Sequence, residues 1–220
     1  MIKAVIFDMD GVLVDTEPLW SKGDKYFLKK RGIKYNDEFK AEIMGKSQDR
    51  NARFYKKKFN LKEPVKELMK DRIEIIHDLY NSKISAKPGV LNLIKQLHKN
   101  NYIIALASNS SMKMINTALK KFDLDRYFSA KISGESVKKG KPAPDVYLAA
   151  ARKIKVNPSE CLVIEDTCSG ISAAKKAGMF CVALFDKRYA RKETLKKADL
   201  IIESFREIKP EKIRHFSKEA

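Results

Sequence analysis

The sequence predicts an α/β fold: a parallel sheet with helices on both faces, interrupted by an inserted all-helical domain. Three observations predict it. Short apolar runs of strand length alternate with amphipathic helical patterns. Several of those runs end abruptly in acids or hydroxyls. One long interval has helical periodicity and no strand pattern.

The strand candidates, in order, are Ala4–Phe7, Ile103–Ala107, Ala130–Ser133, Leu162–Ile164, Cys181–Phe185 and Leu200–Ile202. All but Ala130–Ser133, which carries Lys131, are apolar throughout rather than alternating, as strands buried on both faces are. Between them lie helices. Val90, Ile94 and Leu97 share one face of Val90–His98, and Ile115, Ala118, Leu119 and Phe122 follow the i, i+3, i+4, i+7 pattern. Such strands, joined by right-handed crossovers, place functional loops at their carboxyl ends. From Thr16 to Lys87 the rhythm breaks. Trp20, Phe27 and Leu28 suggest one helix, and Leu68, Ile73, Ile76 and Leu79 another, before Pro88-Gly89 restarts the alternation. The expected division is residues 1–15 and 88–220 for the α/β core and 16–87 for the helical insertion, joined by two hinges.

At 220 residues the chain has room for one large domain with such an insertion. Apolar content of 44% beside 34% charge is that of an ordinary globular chain. No apolar run approaches the roughly 18 residues that span a bilayer. The chain opens directly into a strand-like run without signal-peptide features, so a cytoplasmic location and no membrane partner are expected. Cys161, Cys168 and Cys181 are odd in number and lack metal-site spacing, so they read as reduced, packed thiols. The net charge of +18 comes mostly from lysines scattered along the whole chain. Arginine-aromatic clusters that read or stack on bases are absent, so no specific nucleic acid is expected as a partner. A general positive field that attracts phosphate esters is consistent with this composition.

Four stations carry the chemistry. Asp8 follows the first strand, with Asp10 two residues on and Gly11 for a tight turn. Ser108 and Asn109 follow "IIALA". Lys141 sits in "KKGKPAPDVY", before a helix. Glu165 and Asp166 end "CLVIED", followed by a Gly-containing helix start. Singly, these are ordinary strand exits, a helix N-cap and a loop. Together they gather carboxylates for a hard divalent cation, a hydroxyl and an ammonium for phosphoryl oxygens, and a candidate nucleophile at one sheet edge. Those are the parts of metal-assisted phosphoryl transfer.

On "DMDGVLVDTEP", "ALASNSS", "GKPAPDVY" and "VIEDTCSGISAAKKAGM", in this order and spacing, the chain resembles the haloacid dehalogenase-like superfamily. Within it, the resemblance is to the branch of β-phosphoglucomutase and small sugar-phosphate phosphatases, and it covers essentially the full length. It implies a Rossmann-like core with a helical cap over residues 16–87. It implies that Asp8 is the nucleophile, forming an aspartyl-phosphate, and that Asp10 is general acid and then general base. Ser108 and Lys141 would stabilise the phosphoryl oxygens, with Asn109 a further contact. The cofactor implied is Mg2+, held by the side chains of Asp8 and Asp166 and the main-chain carbonyl of Asp10, with Glu165 acting directly or through water. Asp15 reads as a hydrogen bond holding the turn.

The segment "MGKSQDR" matches the cap loop that reaches the substrate in this branch, which makes Gly45, Lys46 and Gln48 substrate-binding candidates, with Trp20 beside the hinge. Trp20 reads equally as cap–core packing. Two positions depart from the mutase pattern: Gln48 stands where it has an arginine for a second phosphate, and Trp20 where it has a histidine. Asp10 departs from true dehalogenases, whose halide leaving group needs no proton. The expected activity is therefore Mg2+-dependent hydrolysis of a small phosphorylated metabolite, of the sugar-phosphate class, by a monomer or weak dimer. A phosphomutase with a bisphosphate activator is the enzyme alternative, and a nucleic-acid-binding protein the alternative of another class.

Overall fold

The computed structural model describes residues 1–36, 42–43, 48–190 and 192–216. The chain divides into two units, Met1–Asp15 with Ser85–Ala220, and Thr16–Ile84. The first carries six strands: β1 (Ala4–Phe7), β2 (Ile103–Ser108), β3 (Ala130–Ser133), β4 (Cys161–Glu165), β5 (Phe180–Leu184) and β6 (Leu200–Ile202). All pair in parallel, in the order β3-β2-β1-β4-β5-β6. Several strands differ by a residue from their apolar runs, because the ladder continues past them. Ser108 pairs with Ser133, Cys161 with Ala4 and Glu165 with Ala183, whereas β5 starts at Phe180 and stops at Leu184.

The two sheet faces are built from residues of different size. Ala4, Ile6, Ala105, Ala107, Cys161, Val163, Cys181 and Ala183 pack in one cluster with Val146, Tyr147, Ala150, Ile171 and Ala174. Those partners lie on α6 (Asp145–Lys153) and α7 (Cys168–Lys176). Small strand residues make room for these helices and for the fully buried Tyr147 ring. Cys161 and Cys181 are two of these small residues. The alternating positions, including Val5, Phe7, Leu106, Leu162 and Ile164, are larger and fully buried as well. The amphipathic α4 (Val90–Lys99) packs beside β2 and buries Val90, Leu93, Ile94 and Leu97. On α5 (Met112–Lys121) the first turn is capped by Ser111 Oγ, which accepts from Met114 N at 3.3 Å. A short α8 (Pro210–Ile213) packs near α4.

The second unit is helical among its described residues: α1 (Glu17–Lys29), α2 (Gln48–Phe59) and α3 (Val65–Lys83). Both α1 and α2 pack on α3, around Phe27, Leu28, Tyr55 and Leu68. Gln48, expected in a loop, instead opens α2. Among the described residues, no helix is long and apolar enough to cross a membrane.

The chain leaves and re-enters the first unit through adjacent main-chain hydrogen bonds. Asp15 N donates to Ser85 O at 2.9 Å, and Lys87 N to Leu13 O at 3.1 Å. Residues 85–87 thus belong to the α/β unit, whereas the sequence places them in the insertion. Asp15 does more than hold a turn: its carboxylate lies 3.4 Å from Lys87 Nζ and 3.3 Å from Arg188. Lys87, buried, also bonds Asp186 at 2.9 Å. Hydrogen bonds from Arg188 hold the Asp186 carboxyl far below its usual range, with Lys87 adding to them against the opposing effect of burial. Cys168 departs from the packed role expected of it: it is exposed, and its Sγ donates to Thr194 O at 2.9 Å.

Asp186→Asn is expected to lower the unfolding free energy at pH 7 by about 2 kcal/mol, because Lys87 loses a charged acceptor while buried. A depressed folded-state carboxyl stabilises above its unfolded pKa and loses that contribution as pH falls through the folded value. Urea unfolding should therefore show a constant deficit from pH 8 to 5, shrinking only below about pH 4.

Candidate active site

In the observed strand order, the sheet reverses direction of growth between β1 and β4, and open α/β sheets bind ligands outside the carboxyl ends at such a point. Asp8 leaves β1 there, its N–H still donating to Ile164 O at 3.0 Å. Glu165 ends β4, with Asp166 next. Ladder register makes these exits neighbours, since Phe7 pairs with both Ile164 and Leu106. Ser108 ends β2, one residue further on.

Lys141 joins them from the loop before α6. Its Nζ lies 2.5 Å from Asp8 Oδ1 and 2.7 Å from Glu165 Oε1, with all three side chains buried. The loop is fixed by Asn109 Oδ1, which accepts from Lys141 N at 3.0 Å. Glu165 is saturated. Its Oε1 also accepts from Tyr147 OH at 3.0 Å, and its Oε2 from Asp166 N, Thr167 N and Thr167 Oγ1 at 2.8, 2.9 and 3.0 Å. Thr167 Oγ1 in turn caps α7 by accepting from Gly170 N at 3.1 Å. Both later carboxylates occupy space that only a glycine leaves. A Cβ on Gly170 would fall 1.6 Å from Glu165 Oε1, and one on Gly11, whose φ is +81°, 1.8 Å from Asp166 Oδ2.

Burial pushes the Asp8 carboxyl up to about 7, against the pull of Lys141. Burial acts on Glu165 in the same direction, yet Lys141 and the Thr167 hydrogen bonds hold it below its usual value. For Lys141 burial works downward, and the two carboxylates outweigh it, so the ammonium stays charged. Burial beside Glu165 raises Tyr147 well above an ordinary phenol, which keeps its hydroxyl a donor.

Ligand oxygens of Asp8, Glu165 and Asp166 all lie within 4.8 Å of one another, a group that can hold a metal ion. With Asp10 beside them, four carboxylates face one ammonium. That excess repels an anionic ligand unless a cation offsets it, and an all-oxygen donor set suits a hard divalent ion.

Thus Asp8, Lys141, Glu165 and Asp166 come together as one cluster, with Asn109 holding the Lys141 loop. Asp10 is tied to this edge through Ser110, whose Oγ donates to Asp10 Oδ2 at 2.5 Å. Ser110 N donates in turn to Ser108 Oγ at 3.1 Å, and Ser133 Oγ to Ser110 O at 2.7 Å. Ser110, Tyr147, Thr167 and Gly170 are the neighbours that sequence reasoning missed. The Thr-x-x-Gly helix start was a usable signal for Thr167; nothing local marks Ser110 or Tyr147. Trp20 and Gln48 belong to the helical unit, and Gly45 and Lys46 lie outside the described residues.

Residues 5–184 match the family model described as haloacid dehalogenase-like hydrolase. The phosphorylated carbohydrates phosphatase of Thermotoga maritima is 29% identical, over 99% of both chains. The (DL)-glycerol-3-phosphatase 2 of Arabidopsis thaliana is 33% identical, over 96% of this chain and 90% of the relative. The crystal structure of β-phosphoglucomutase from Clostridium difficile superposes with a TM-score of 0.81 at 30% identity, covering 98% of this chain and 96% of that one. A buried Asp–Lys–Glu cluster at the switch point of a parallel sheet, and a family match over most of its length, show that the chain belongs to the haloacid dehalogenase-like hydrolases, among their β-phosphoglucomutase-like phosphatases.

Proposed function

We propose that the protein is a Mg2+-dependent phosphatase that hydrolyses a small phosphorylated metabolite of the sugar-phosphate class through an aspartyl-phosphate on Asp8. The observation that carries this reading is the Asp8 carboxylate at the end of β1, 2.5 Å from a buried ammonium and grouped with Glu165 and Asp166. A carboxylate held there has a fixed direction of attack and a neighbouring charge to bind the group it attacks.

Asp8 attacks phosphorus in line, and the P–O bond to the leaving alkoxide breaks as the new P–O bond forms. Lys141 and Ser108 stabilise the charge on the phosphoryl oxygens. Asp10 donates its proton to the alkoxide, then takes one from the water that hydrolyses the acyl phosphate. The hydrogen bond from Ser110 fixes the carboxylate that does both. Asp8, Asp166 and the main-chain carbonyl of Asp10 would hold the cation, which supplies charge neutralisation for nucleophile and phosphoryl group alike. Glu165 contributes its charge and keeps Lys141 in place.

Phosphate release from phenyl phosphate should require Mg2+, stop on chelation, and fall by at least about a thousandfold in Asp8→Asn; release persisting in that variant would remove Asp8 as nucleophile. Conversion of a hexose 1-phosphate to its 6-phosphate only with a bisphosphate activator would establish the mutase instead. Asp10→Asn should slow alkyl esters by about 10²–10⁴-fold and aryl esters much less, since phenoxide leaves with little protonation. Comparable losses on both ester types would argue against an acid role.

Gly170→Ala should lower kcat by about 10²-fold, because its methyl group displaces Glu165 and releases one anchor of Lys141. Far-ultraviolet circular dichroism should show α7 intact.

A further inference from the structure

Tyr147 is fully buried, and the proposed mechanism gives it no task. It lies in the first turn of α6, where its N–H donates to Pro144 O at 3.1 Å, on the same face as the buried Ala150 and Ala151. Its side chain touches Lys141 and Glu165 at once. The hydroxyl donates to Glu165 Oε1 at 3.0 Å, and the ring centroid lies 4.8 Å from Lys141 Nζ.

Two carboxylates compete for this one ammonium. Its Nζ lies 2.5 Å from Asp8 Oδ1 and 2.7 Å from Glu165 Oε1, and both contacts are charge-assisted. Glu165 Oε1 has a second donor in the Tyr147 hydroxyl, whereas Asp8 Oδ1 has none among the described residues. Two donors on one oxygen divide its negative charge between them, so Glu165 holds the ammonium less strongly and leaves it closer to Asp8. Lysine has three N–H donors and no acceptor. Asp8 and Glu165 take two, and no third oxygen among the described residues accepts from Nζ. The aromatic face favours the charge without accepting a proton in the manner of an oxygen. The third N–H is the one left for a phosphoryl oxygen.

We propose that Tyr147 is a positioning residue for Lys141. Its hydroxyl limits the share of the ammonium that Glu165 takes, and so keeps Lys141 turned toward Asp8 and toward the phosphoryl group that Asp8 attacks. The contribution falls in the transition state, while that group passes to Asp8, rather than in ground-state binding. This inference rests on the phosphatase reading and deepens it.

Tyr147→Phe removes the hydroxyl, keeps the ring and leaves Glu165 Oε1 bonded to Lys141, and circular dichroism should show it folded. Orthovanadate accepts a fifth oxygen ligand, as phosphorus does during transfer, whereas inorganic phosphate stays tetrahedral. With Mg2+ present, calorimetric titration should give a vanadate Kd about tenfold higher in Tyr147→Phe than in the parent, and a phosphate Kd changed by less than about threefold. On phenyl phosphate kcat should fall about tenfold with KM nearly unchanged. In a Lys141→Ala background the same change should leave vanadate affinity unaltered, because no ammonium remains to be placed. An unchanged Phe variant, equal weakening of vanadate and phosphate, a rise in KM at constant kcat, or the same loss without Lys141 would each overturn the role of Tyr147. So would a parent that binds vanadate no more tightly than phosphate. Should Lys141→Ala fail to fold, the titrations of Tyr147→Phe decide alone. A parent that releases phosphate from no ester would instead overturn the phosphatase reading, and the vanadate titrations would still decide on Tyr147.

Discussion

The α/β unit depends on one ammonium shared by two buried carboxylates. Asp8 and Glu165 leave adjacent parallel strands at the same level, and neither could remain ionised there unaided. Lys141 bonds both, and the residues around it make that arrangement unique. Asn109 holds its main chain, while Tyr147 and Thr167 occupy the remaining lone pairs of Glu165. A saturated carboxylate cannot rotate away to find other donors. The ammonium is therefore held where it meets Asp8, and Asp8 is held pointing out of the sheet edge. Small residues on one sheet face are part of the same requirement, because they admit α6 and bring the Tyr147 ring beneath the cluster.

The two chain crossings into the helical unit are fixed by contacts made within the α/β unit itself. Main-chain hydrogen bonds between residues 13–15 and 85–87 close the crossing, and Lys87 ties it to Asp186 on the loop after β5. What lies between those crossings can change its side chains without disturbing the register of β1 and β4. Asp24 and Arg72 satisfy one another inside the helical unit, and Asp8 and Glu165 share Lys141 inside the other. The pair in the helical unit is one cation to one anion, whereas the cluster at the sheet edge keeps an acidic excess.

How much of this was legible in the sequence depended on whether a feature is set locally. The strands announced themselves as apolar runs, and Asp8, Ser108 and Asp166 as polar groups at their ends. The ends themselves shifted by a residue where pairing with a neighbour extended the ladder, as at Cys161 and Glu165. Ser110 looked no different from Ser111; only the position of Asp10, 100 residues earlier in the chain, gives it a partner. Asp24 and Arg72 are 48 residues apart on helices rich in charge, so each reads as a solvated surface residue until the helices pack. Lys87 is hidden likewise, because its partners Asp15 and Asp186 both lie far from it in the chain. Gln48 falls in a loop only through the resemblance of "MGKSQDR" to the family's loop, and a helix begins at Gln48 itself.

The net charge of +18 and the acidic site look contradictory until they are assigned to different stages. The lysines are dispersed, so their joint effect is a diffuse field that raises the local concentration of anions and fades over a Debye length of about 8 Å in physiological salt. Such a field speeds encounter with any phosphate ester and distinguishes none. At the sheet edge the balance reverses, with four carboxylates around one ammonium, and an ester arriving there meets net repulsion unless a cation accompanies it. Salt should therefore weaken the approach of substrate far more than the chemistry within the cluster, where the charges are buried and poorly screened. A polyanion held by surface lysines alone would have no reason to engage Asp8. The basic composition is thus an aid to capture, and the function resides in the small acidic centre that it surrounds.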